Sequence, residues 1–142
     1  MGSGRLTGKA AGSASAQVPV GAGGPPFGTE PIDRAYLARF TLGSAALERE
    51  VLELFALQTA LYVQQLRVAA TRTAWKDAAH TIKGSARAVG ARRLASLAQV
   101  AEQLDVEAGL PDGETRRKQA VAAVAEGAEE ARRYIACLFA TA

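Results

Sequence analysis

The residue types that could do chemistry gather in one stretch, Trp75 to Leu94, which reads WKDAAHTIKGSARAVGARRL. It holds the chain's single histidine, His80. Lys83 and Gly84 follow one turn later and Arg87 two turns later. An imidazole with an unperturbed pKa of about 6.5 offers a neutral nucleophilic nitrogen near pH 7. The cations Lys76, Lys83 and Arg87 make a basic stripe that suits an acidic partner face. Gly84 costs a helix about 1 kcal/mol relative to alanine, so its presence needs a reason. A missing side chain beside His80 lets a partner's backbone approach closely.

A helix must position this set. At 100° per residue, Trp75, Ala79, Ile82, Ala86 and Val89 fall within about 40° of one direction and form a core-facing stripe. Lys76, His80, Lys83, Gly84 and Arg87 lie about 80° to 180° away from it. Taken singly these residues are ordinary: a surface histidine, a solvated lysine, a helix flaw, two surface charges. Gly90 reads as a structural turn, Trp75 as core, and Cys137 as an incidental thiol off the apolar centre of its helix. Sharing one exposed face is what no structural rule requires.

The 142 residues suffice for one domain. Apolar residues make up 49%, with alanine and leucine dominant and aromatics only 6%, a composition that favours helix over sheet. The net charge of +3 is too mild, and the basic residues too scattered, to argue for nucleic acid. One cysteine excludes an internal disulfide and a cysteine-based zinc site. No apolar run approaches 18 residues, so no membrane span is expected. The start carries no signal-peptide-type apolar run, and a reducing, cytoplasmic setting is expected.

Residues 1–29 are rich in glycine, alanine, serine and proline and lack apolar periodicity, so we expect a disordered tail. Its GSGRLTGK resembles a phosphate loop, but Ser3 stands where that loop needs its first glycine. Ala10 supplies no hydroxyl, and no strand precedes it. From Pro31 a short helix is expected to about Phe40, with Pro31 at its first position and Ile32, Tyr36, Leu37 and Phe40 on its apolar side. Gly43 breaks it, and Ser44 caps a long helix to about Ala70. Its broad arc of Leu47, Val51, Leu54, Phe55, Leu61, Tyr62 and Leu66 suits two neighbours. Thr73 is placed to cap the helix bearing His80, and Gly90 to end it. A fourth helix runs from about Ala91 to Ala108 through Leu94, Leu97, Ala98, Ala101 and Leu104, stopped by Gly109 and Pro111. Asp112 starts the last, with Val121, Val124, Ala128, Ala131, Ile135 and Phe139 on one side. The economical fold is all-α: an antiparallel up-down four-helix bundle over 30–142, with a short N-terminal capping helix and the tail outside it.

The string AHTIKGSARAVGARRL resembles the core motif of histidine-containing phosphotransfer (HPt) domains of bacterial two-component phosphorelays. The matching positions are His80, Lys83, Gly84, Gly90 and Leu94. Helix order and lengths from about residue 31 onward also resemble that family. The resemblance implies a four-helix bundle in which His80 takes a phosphoryl group from a receiver-domain aspartate and passes it to another receiver. It implies a carrier without an ATP site of its own, with Lys83 stabilising phosphoryl charge and Gly84 giving partner access. Lys76 and Arg87 would extend the partner-binding face. The expected partners are receiver domains of response regulators or a hybrid histidine kinase, with Mg2+ carried by the receiver and no cofactor or metal on this chain. Arg87 and Ala88 depart from the small or polar residues frequent at those positions, and a bulky arginine there would tune which receivers fit. A monomer is expected, with the broad arc of the 44–70 helix filled inside one bundle. The competing readings are an inert helical module that binds a receiver or kinase without transfer, and the phosphoacceptor domain of a chemotaxis-type kinase. The relay reading requires His80 to be solvent-exposed with open space at Gly84.

Overall fold

The computed structural model describes residues 30–104 and 112–140. Beyond Glu30 they belong to one compact unit, Pro31–Ala142. Among the described residues there are five helices and no strand: α1 (Arg34–Thr41), α2 (Ala45–Val68), α3 (Arg72–Val89), α4 (Arg92–Gln103) and α5 (Gly113–Phe139). The expected tail at 1–29, its phosphate-loop look-alike, and the stop at Gly109 and Pro111 lie outside the described residues.

Asp33, rather than Pro31, sets the start of α1. Its side chain accepts the Tyr36 N–H at 3.0 Å, a bond that proline geometry alone cannot supply. Ile32 and Leu37, on either side of that cap, are both buried, at positions where an apolar pair fixes the entry of the chain. Phe40 faces outward, edge-on against Tyr36 with ring centroids 5.2 Å apart, instead of entering the core. Leu42 and Gly43 both take left-handed backbone, φ 53° and 78°, and turn the chain into α2.

Ser44 caps α2 as its position predicts, accepting the Leu47 N–H at 3.1 Å. The buried face of α2 is not the expected arc. Leu52, Phe55, Thr59, Val63 and Leu66 point inward, Val51 and Tyr62 are half-buried, and Leu47, Leu54 and Leu61 are exposed. The helix carries two apolar stripes on opposite sides, and periodicity alone merges them into one broad arc.

Helix α2 ends at Val68, two residues early, so the turn into α3 also closes early. Thr71, not Thr73, is therefore the cap, in extended backbone and accepting the Ala74 N–H at 3.0 Å. The whole expected stripe of α3 is buried: Trp75, Ala79, Ile82, Ala86 and Val89. Gly90 ends the helix in left-handed backbone, φ 79°. Its N–H bonds the Arg87 carbonyl at 3.2 Å and the Ala91 N–H bonds the Ala86 carbonyl at 2.8 Å, the paired pattern of a glycine C-terminus. The Gly90 carbonyl also accepts the Asp33 N–H at 2.9 Å. Arg92 reaches the Asp33 carboxylate at 2.8 Å, so α1 is tied to this corner.

Helix α4 ends at Gln103 rather than near Ala108, with Leu104 as its cap in extended backbone; residues 105–111 lie outside the described residues. Leu94, Ala95, Ala98 and Ala101 are its buried face, with Leu97 and Leu104 half-buried. Helix α5 starts after Asp112, whose side chain makes no cap bond, and buries Val124, Gly127, Ala128, Ala131 and Ile135. Gly127 lets α5 press onto α4, since a Cβ there would lie 2.8 Å from Leu97 Cδ1. Helix α2 packs on α3 and α5, α4 packs on the same two, and α1 lies on α2 and α3.

Gly84 within α3 and Gly90 at its end should respond to alanine with opposite sign. A Cβ on Gly90 would meet the Asp33 backbone at 2.9 Å in a left-handed conformation, whereas one on Gly84 meets nothing within 4 Å. Gly90→Ala should cost at least about 1 kcal/mol, and Gly84→Ala should gain up to about 1 kcal/mol. Urea unfolding midpoints measure both, and shifts of the same sign would contradict this account.

Candidate functional site

Trp75 sets the register between α3 and α4. Its indole N–H donates to the Ala101 carbonyl at 2.7 Å inside the core. The next pair repeats the arrangement at the rim, where the Lys76 ammonium donates to the Glu102 carbonyl at 2.8 Å. The last carbonyls of a helix lack their regular intrahelical partners; the Leu104 N–H reaches the Ala101 carbonyl at 3.2 Å, and these two side chains add to it in anchoring the end of α4. That register places the Glu102 side chain across from His80.

His80 is the exposed member of the cluster, with 67% of its side chain open to solvent. Its Nδ1 lies 3.0 Å from Glu102 Oε2. A carboxylate accepts, so in the neutral ring this contact puts the proton on Nδ1 and leaves the Nε2 lone pair free. Lys83 lies beneath, only 14% exposed, with its ammonium 2.5 Å from Glu102 Oε1. That oxygen is buried and makes no hydrogen bond of regular angle, so the contact with Lys83 is foremost ionic. Gly84 is exposed, and the space a side chain would take is open.

Three of the expected residues, Lys76, His80 and Lys83, therefore converge on one residue that sequence reading did not name. Glu102 holds the imidazole, the buried ammonium and, through its backbone, the rim lysine. A signal for it existed: the tight reversal at Gly90 lays the end of α4 beside the first half of α3, and Glu102 is the one acidic residue between Arg92 and Gln103. Arg87 does not join the cluster. Its guanidinium donates to Gln99 Oε1 at 2.8 Å and lines a separate groove with Tyr36, Arg92 and Ser96.

The Lys83 ammonium holds the Glu102 carboxyl below its ordinary value of 4.5, against burial, which pushes the other way; His80 adds to the lowering. Glu102 thus stays ionised beside the imidazole across the neutral range. Among the described residues, no group of three or more His, Cys, Asp or Glu side chains is placed to hold a metal ion. No helix among them is long and apolar enough to cross a membrane.

An exposed imidazole on a bundle helix, open at the following glycine, matches what the HPt motif demands. The family model of the Hpt domain matches residues 50–134, more than half of the chain and all of this cluster. The chain belongs to the Hpt domain family. No curated protein and no solved structure matches it. Hpt domains carry phosphoryl groups in two-component phosphorelays and engage receiver domains, so this chain has a phosphotransfer-carrier role.

Because the folded-state value of Glu102 lies below the unfolded one, its contribution to stability is complete above about pH 4.5 and is lost as pH falls through the lowered value. Between those limits the wild-type domain should lose stability more steeply than Glu102→Gln. Urea midpoints across an acid series would show it, and parallel curves for the two proteins would refute it.

Proposed function

We propose that His80 is the phosphoacceptor and that Glu102 and Lys83 make it competent. The observation that carries this reading is the exposed imidazole whose Nδ1 is held by Glu102, leaving Nε2 outward. Nε2 attacks the phosphorus of a receiver's aspartyl phosphate. The N–P bond forms as the P–O bond to the aspartate breaks, and the aspartate leaves as a carboxylate. The product ring is protonated on Nδ1, phosphorylated on Nε2 and cationic, and the Glu102 carboxylate stabilises that charge. Both adducts are energy-rich, so the step runs in either direction and the group passes on to a second receiver.

Lys83 takes a different position from a free surface cation. Its ammonium neutralises Glu102, which would otherwise repel an arriving phosphoryl dianion, and its charge reaches the phosphoryl oxygens from below the helix surface. Gly84 leaves the face beside His80 open to the receiver's backbone. Lys76 acts by holding the end of α4, and Arg87 supplies a contact to the receiver away from the reacting atoms. We place the Mg2+ on the receiver and assign the chain no ATP site of its own. In this reading the carrier domain spans 30–142 as a four-helix up-down bundle capped by α1, outside a tail at 1–29, and works in the cytoplasm.

The test is transfer from a phosphorylated receiver domain with Mg2+, followed as an acid-labile, base-stable adduct. His80→Gln should abolish uptake with helix content unchanged. Gly84→Ala should fold at least as well as wild type yet slow transfer about tenfold or more, by obstructing the partner rather than the imidazole. Uptake by the His80→Gln protein would move the acceptor elsewhere. Binding of receivers without transfer to the wild-type chain would favour an inert docking module.

A further inference from the structure

The outer stripe of α2 is unpartnered and regular. Leu47, Leu54, Leu61 and Val68 recur every seven residues, Leu57 lies between the second and third, and these five are 42% to 67% exposed. Leu47, Leu54, Leu57 and Leu61 face away from the side that packs on α3 and α5, and Val68 ends the row beside grooves shared with both helices. A globular surface helix needs one apolar stripe with a period near 3.6. A second one on the opposite side with a strict seven-residue spacing supplies the first core position of a left-handed helix pair. We propose that α2 pairs with α2 of a second copy of this chain, antiparallel, to make a homodimer.

Period, charge and area each point to that occupant. With Leu47, Leu54, Leu61 and Val68 in the first core position of each heptad, Glu50, Leu57 and Gln64 take the second. A parallel pair would set Glu50 against its own copy in the seam. An antiparallel pair centred near Thr59 sets Leu57 against Leu61 of the second copy, twice, at the middle. It also brings Glu53, near the start of the helix, to Arg67 at the end of the other, and sets Glu50 opposite Val68 beside that arginine. All three charged residues are exposed. The five apolar side chains present roughly 500 Å² per copy, so a pair with its polar flanks reaches the lower end of what specific interfaces bury. Residues 1–29, rich in glycine and proline, offer no seven-residue apolar repeat to fill the seam instead. The expectation of a monomer assumed an arc filled inside one bundle, and three of its seven residues are not. The stripe includes none of the residues around His80, so this inference stands apart from the phosphotransfer reading.

Sedimentation equilibrium of the full chain at about 100 µM tests it, a concentration at which a micromolar interface is mostly occupied. The expected mass is twice the 14.8 kDa of one chain. Leu54→Glu with Leu61→Glu should give the single-chain mass with unchanged helix content, since neither residue is in the core. Arg67→Glu alone should weaken association about tenfold, and adding Glu50→Arg and Glu53→Arg should restore it. A wild-type chain that stays monomeric, with the seam left to its own tail or to another protein, overturns the proposal. So does a dimer that survives Leu54→Glu with Leu61→Glu. Insensitivity to Arg67→Glu would overturn the antiparallel pairing.

Discussion

The reversal at Gly90 is the constraint on which the rest depends. The backbone there is left-handed, and a Cβ would run into the backbone of Asp33. Only glycine meets both conditions at little cost. The tight turn makes α3 and α4 run back along one another, and their pairing then has one register. Trp75 locks it, because without the Ala101 carbonyl its buried indole N–H would be left unsatisfied in the core. Once Ala101 is fixed opposite Trp75, Glu102 has one place to go, and that place is beside His80.

The cluster around His80 is a small balance of charge. One carboxylate serves an imidazole on its exposed side and an ammonium on its buried side. Its two oxygens divide the work, Oε2 orienting the ring and Oε1 meeting the lysine. Surface pairs elsewhere, such as Arg49 with Glu53 or Arg132 with Glu129, contribute little because solvent screens them. The Glu102 set differs in geometry more than in strength. It converts a histidine with two accessible tautomers into one with a defined proton and a defined lone pair. That lone pair lies on an open face.

Helix α2 serves two surfaces at once. Its inner stripe closes the core with Thr59 buried among aliphatic and aromatic side chains, and its outer stripe of leucines is left to solvent within one chain. Scattered exposed leucines are ordinary on a protein surface, but a row of them at one spacing along a 24-residue helix is not. The helix is long enough to belong to the bundle on one side and to present a continuous seam on the other.

Local chemistry decided much of this protein. The helical class, the cap at Ser44, the buried stripe from Trp75 to Val89, the end at Gly90 and the outward direction of His80 all follow from propensity, periodicity and turn geometry within a few residues. These are interactions between near neighbours in the chain, so the sequence carries them directly. The cap at Thr71 rather than Thr73, the true inner face of α2 and the part played by Glu102 were decided by the tertiary structure. Each depends on which surfaces meet across helices. Thr71 wins because α2 stops early, the inner face of α2 is chosen by what α3 and α5 present to it, and Glu102 matters because packing brings it 3.0 Å from a residue twenty-two positions away. Periodicity shows that a face is apolar, and only packing says what lies against it.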